Sequence, residues 1–162
     1  GAISHRDNLG NKGRTAAGDV QVMSAGSGIA HSEYNLEDVT TKIFQIWIIP
    51  NQVGLAPSWG AKPFPKGARA GQFVILASGH ENDTDALPIR ADARLVAATL
   101  TAGQSAEYPL GRLRKGYLVA AKGLIEVNGI SAGERDGIAI SGEEVVRVTA
   151  LEDSEVILVD VA

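Results

Sequence analysis

The stretch Gly18-Asp-Val-Gln-Val-Met-Ser-Ala-Gly-Ser-Gly-Ile-Ala-His-Ser-Glu-Tyr34 decides how the rest of this chain is read. Gly18-Asp19 is a turn pair that ends one element and begins the next. Val20, Val22 and Ser24 then alternate with Gln21 and Met23, the period of a strand with two unlike faces. Gly26-Ser27-Gly28 lets the backbone bend sharply. A second extended run follows, and it carries His31 and Glu33 two residues apart, so both side chains leave the same face. An imidazole and a carboxylate side by side form half of a metal site of the two-histidine, one-carboxylate kind. A plain edge strand turned to water would produce the same tripeptide. The Gly-rich bend just before the pair favours the metal reading.

Working outward, Ala2–Asp7 reads as a strand, Asn8–Asn11 as its turn and Lys12–Ala16 as a second strand. After Tyr34 comes a polar loop, then Lys42–Ile49, an apolar run that reads as a buried strand ended by Pro50. Residues 51–70 are rich in proline and glycine and weak in periodicity, which predicts a linker over the surface, anchored by Trp59 and Phe64. Short strands follow at Gln72–Ala77, Leu95–Leu100, Arg114–Ala121, Gly123–Val127, Gly137–Ile140, Val145–Leu151 and Val156–Val161. Asn128-Gly129 is a strong hairpin signal. No segment has helical periodicity, so the chain is all-β, of sandwich or small-barrel type.

The halves repeat one plan: paired strands, an Asn-containing turn, a Gly-Asp or Asp-Gly corner, further strands and a closing apolar run. The first copy lacks the strands that should precede Ala2, which predicts an incomplete first barrel. Such a barrel should leave unpaired backbone beside Ala2–Asp7 and beside the closing run Ile43–Ile49, inviting a homodimer or strand exchange. The second copy, traced from Arg114 onward, carries no histidine, so a metal site belongs to the first alone.

At 162 residues and 44% hydrophobic composition, the chain has enough apolar material for a real core. Its net charge of −4 comes without a basic block, which argues against direct nucleic-acid binding. The absence of cysteine excludes disulfides, thiolate metal sites and cysteine nucleophiles. No apolar run reaches membrane-spanning length and no signal peptide is visible, which predicts a cytoplasmic protein. Neither a Gly-x-Ser-x-Gly elbow nor a phosphate loop is present, since Gly26-Ser27-Gly28 is followed by no Lys-Ser/Thr.

His5-Arg-Asp-Asn-Leu-Gly-Asn11, Gly18 through Ile29, His31-Ser-Glu33 and Gln45-Ile-Trp47 together resemble the pirin family, with Val22 standing where that family commonly has tryptophan. The resemblance implies a bicupin, two cupin-like β-barrels in tandem with a divalent metal, usually iron, in the N-terminal one. It predicts a partial N-terminal barrel over residues 1–50, a linker over 51–70 and a C-terminal barrel without metal ligands over 71–162. In that family a His-x-His pair on an early strand joins a later His and Glu; His31 and Glu33 match the later pair, and the early pair has no counterpart here. On this pattern His5 is not a ligand, and His80, in a polar loop, is expected to be solvated.

Three functions follow from the resemblance. The first is a quercetin 2,3-dioxygenase-type enzyme opening a flavonol, with Glu33 taking the substrate's hydroxyl proton and serving with His31 at the metal. The second is a non-enzymatic metal-binding regulatory or interaction module. The third is an inactive fragment in which the incomplete ligand set leaves the metal absent.

Overall fold

A computed structural model describes all of residues 1–162. In chain order the strands are β1 (Ala2–Asp7), β2 (Lys12–Ala16), β3 (Val20–Ser24), β4 (His31–Tyr34), β5 (Ser58–Lys62), β6 (Val74–Ser78) and β7 (Leu87–Pro88). They continue as β8 (Ala93–Leu100), β9 (Ser105–Pro109), β10 (Lys115–Lys122), β11 (Ile125–Val127), β12 (Ile130–Ala132), β13 (Gly137–Ser141), β14 (Val145–Ala150) and β15 (Ser154–Val161). A single 3-10 turn, Lys66–Arg69, is the only helical element, so the all-β reading holds.

The C-terminal barrel is complete. A six-stranded sheet, β13-β10-β15-β8-β6-β7, packs on a four-stranded one, β12-β11-β14-β9. Strand alternation builds the interior: Val156 and Leu158 of β15 point inward with Leu118, Ile125, Val146 and Val148, all but sealed from solvent. The Asn128-Gly129 hairpin is there as expected. Val127 pairs with Ile130 across a two-residue loop whose φ angles are both positive, 47° and 87°, as a type I′ turn requires.

The other face of the six-stranded sheet carries a second, smaller core. Ile157 and Val159, the alternate residues of β15, join Leu76, Leu87, Leu95 and Phe64 there, and Val20 and Val22 of β3 pack against them. Strand β3 pairs antiparallel with β5 from Val20↔Lys62 to Ser24↔Ser58. This two-stranded ribbon is the joint of the molecule: Val20 and Val22 face the C-terminal barrel, while Gln21, Met23 and Trp59 face the other way.

That other side is closed by the sheet β2-β1-β4. Together the two small sheets form an open half-barrel around a hollow of about 1170 Å³. The first barrel is thus incomplete, but three expectations about it change. Strand β1 is not an open edge: β2 and β4 flank it on both sides. Residues 51–70 are not simply a linker, because β5 within them completes the ribbon, and of the two expected anchors only Phe64 enters the small core. Lys42–Ile49 forms no strand. No segment of the chain runs beside it to supply a ladder, and Trp47 and Ile49 are 88% and 90% exposed.

Candidate functional site

Strands β1 and β4 run antiparallel with His5 opposite Glu33 and Asp7 opposite His31. Register and pleat therefore put four ionisable side chains on one face of the sheet, and His5, His31 and Glu33 line the hollow. His31 is exposed, Glu33 is half-buried, and His5 and Asp7 are buried.

His5 is fixed from every side. Its ring stacks on Trp59 at 4.9 Å between centroids and on His31 at 5.5 Å. Its Nε2 lies 3.2 Å from Oδ2 of Asp7. Burial alone would push the Asp7 carboxyl up. Hydrogen bonds outweigh it, from the Asn11 side chain, from His5 and from the backbone N–H groups of Asn11 and Leu9, and hold the carboxyl down at about 2. Asp7 is thus ionised, and its Oδ2 accepts from Nε2 of His5. Nδ1 of His5 has no hydrogen-bond partner and faces Oε1 of Glu33 at 3.5 Å.

Glu33 is reached from across the hollow. Gln21 on β3 donates its Nε2–H to Oε1 of Glu33. The Gln21 amide is itself oriented by two donors on its oxygen, Oγ1 of Thr15 on β2 and Nε1 of Trp59 on β5, each at 3.3 Å. One strand, β3, thus donates to the carboxylate oxygen, and two more, β2 and β5, orient the donor.

The expected pair, His31 and Glu33, does line the same space, as strand alternation requires. No group of three or more His, Cys, Asp or Glu side chains is arranged to hold a metal ion. An imidazole and a carboxylate suit a divalent cation, but two donors fall short of the three that open metal sites keep. His5 and Trp59 were missed as site residues. The signal for His5 lies in pairing register, and that for Trp59 in long-range contact, neither of which a local pattern reveals. His80 is not a solvated loop residue. It is half-buried, with Nε2 3.3 Å from Oδ1 of Asp92, at the end of a polar chain that continues through Arg114 and Asp160 to Tyr108.

Residues 1–48 match the family model described as Pirin, and residues 75–161 match the one described as Quercetinase C-terminal cupin domain. A pirin-like protein of Caulobacter vibrioides is 65% identical over 162 residues, covering 100% of this chain and 70% of that protein. Quercetin 2,3-dioxygenase of Escherichia coli is 33% identical over 99% of this chain and 68% of its own length. The crystal structure of YhhW from Escherichia coli superposes with a TM-score of 0.89 at 32% identity, over 100% of this chain and 68% of that one. A nickel(II) complex of the same bacterial pirin gives 0.86 at 30% identity, over 99% and 68%. No helix is long and apolar enough to cross a membrane. With these matches along its whole length, the chain belongs to the pirin family.

Proposed function

We propose that this chain carries the His/Glu half of a metal-dependent flavonol dioxygenase site of the quercetin 2,3-dioxygenase type. The observation that carries the reading is the placement of His31 and Glu33 side by side on the wall of a large, mostly apolar hollow. The naming of the 33%-identical Escherichia coli relative supports the substrate class.

In this reading His31 and Glu33 are two of the ligands, and the remaining donors come from outside the set described above. A bound divalent ion, iron by the family resemblance and nickel in the solved relative, would polarise the flavonol's enol oxygen and orient dioxygen beside it. The residues of the chain do the rest. Ile3, Met23 and Ile29 offer apolar walls to a flat aromatic substrate. Glu33, with Oε1 engaged by Gln21, has Oε2 to hold the metal or, when off it, to accept the substrate's hydroxyl proton.

The test is metal content and aerobic quercetin consumption for this chain and for a form extended to the length of its relatives, each with His31→Ala and Glu33→Ala. The extended form should bind the metal and lose it with either substitution, and turnover should fall about 10²-fold or more. Substitutions that leave both metal content and turnover unchanged would place the ligands elsewhere and remove the assignment.

A further inference from the structure

We propose that Gln21 is a positioning residue whose amide occupies Oε1 of Glu33 and so leaves a single oxygen, Oε2, facing the hollow. The inference deepens the reading of Glu33 as the site's working carboxylate and rests on that reading for its consequence, though not for its geometry.

The argument starts from the amide's own asymmetry. A glutamine side chain has one accepting end and one donating end, and packing alone does not decide which faces a neighbour. Here the choice is made by two donors. The Thr15 hydroxyl and the Trp59 indole N–H both lie 3.3 Å from Oε1 of Gln21, and an indole nitrogen can only donate. With its oxygen claimed, Gln21 must turn its NH₂ toward Glu33, and it donates to Oε1 there. A carboxylate oxygen held by a charge-assisted hydrogen bond is a poorer partner for anything else. The other close polar atom, Nδ1 of His5, also lies against Oε1, at 3.5 Å.

The donors come from separate elements. Thr15 is on β2, Gln21 on β3 and Trp59 on β5, so the orientation of Glu33 depends on the half-barrel as a whole. Positioning devices of this kind tune a first ligand through its hydrogen bonds, and their loss costs about 10–100-fold in metal affinity or activity.

The test begins on the metal-free chain. In a side-chain amide NMR spectrum, one Gln21 Nε2 proton should be shifted clearly downfield, and Glu33→Ala should abolish that shift. Trp59→Phe keeps a ring against His5 and removes the donor. Combined with Thr15→Ala it should lose most of the shift while the backbone spectrum of the C-terminal barrel stays in place. The second readout is cobalt(II) titration of the form extended to the length of its relatives. Gln21→Ala should weaken cobalt binding about 10-fold, because the carboxylate is no longer held in one orientation, and should change the visible d–d spectrum as its second oxygen becomes free to coordinate.

The outcomes separate two failures. A downfield amide proton with no cobalt binding in any form overturns the metal reading of Glu33 while leaving the orientation of Gln21 intact. An unshifted amide, or one indifferent to Trp59→Phe/Thr15→Ala, overturns the positioning proposal whatever the metal does. Cobalt binding and spectra identical in wild type and Gln21→Ala overturn it as well.

Discussion

The indole of Trp59 lies on the imidazole of His5 with the ring planes 11° from parallel, and residue 13 is the reason it can reach there. Gly13 sits opposite His5 in the β1–β2 ladder, and a Cβ at that position would overlap Cη2 and Cζ2 of the indole. The glycine is therefore a seat for an aromatic ring, not a turn residue. Gly13→Ala should expel Trp59 from the stack, cost about 1–3 kcal/mol of stability, and lose the Gln21 amide signal together with the stack. Intrinsic tryptophan fluorescence and denaturant titration check both parts. An unchanged emission spectrum would show that the indole is not seated there.

The run Lys42–Ile49 exposes Ile43, Phe44, Ile46, Trp47 and Ile49 along one extended, unpaired segment. Exposed apolar backbone without a ladder is a template for another chain. We expect this chain to self-associate through that segment, and Ile46→Lys with Trp47→Lys to shift it toward monomer. Sedimentation velocity over a concentration series reads the result. A wild-type chain that remains monomeric at the highest concentration removes the prediction.

At the C-terminal barrel, stability should depend on acid in a particular direction. The Arg94 guanidinium and the Ser78 hydroxyl hold the Asp83 carboxyl below its ordinary 3.8, with burial opposing them. A carboxyl depressed on folding stabilises the fold above its unfolded value, and that contribution disappears as pH falls through the folded one. Asp92 behaves likewise under Arg114. Urea midpoints should thus hold from pH 7 to about 5 and drop below about 4. Asp83→Asn should be less stable at neutral pH and decline less steeply in acid. A parallel decline in the two proteins would exclude Asp83 as a contributor.

Local pattern was enough wherever a strand has two unlike faces or a turn has its own chemistry. Ala2–Asp7, Lys12–Ala16 and the Asn128-Gly129 hairpin are placed as the sequence implies. It failed where the deciding contact is distant. Ser58–Lys62, Ser-Trp-Gly-Ala-Lys, has no β-branched residue and no clear alternation, and becomes a strand only because β3 offers a ladder. Lys42–Ile49 is the converse: strong strand composition and no partner within the chain, hence no strand. Of the site, His31 and Glu33 are legible because two-residue spacing is local. His5 requires the register that sets it opposite Glu33, and Trp59 requires the empty seat at Gly13.

The ribbon β3–β5 makes a prediction that separates function from fold. Its two faces serve different masters: Val22 packs on the small core with Leu76 and Leu87, while Gln21, one residue earlier, orients Glu33. His31 is exposed and makes no contribution to either apolar core. His31→Ala should therefore leave stability within about 0.5 kcal/mol of wild type while removing one of the two candidate ligands. Val22→Asp places a carboxylate against an apolar surface, which costs about 1–3 kcal/mol. The strain falls on β3 itself, so Val22→Asp should also disturb the Gln21 amide signal although the new side chain lies on the opposite face of β3. Val22→Ile, keeping the face apolar, should preserve both stability and the amide signal. Thermal unfolding and the side-chain amide spectrum, recorded on all three variants, check the argument. If Val22→Asp lowers stability but leaves the Gln21 resonance untouched, the ribbon does not couple the barrel to the site, and the two halves behave as independent units.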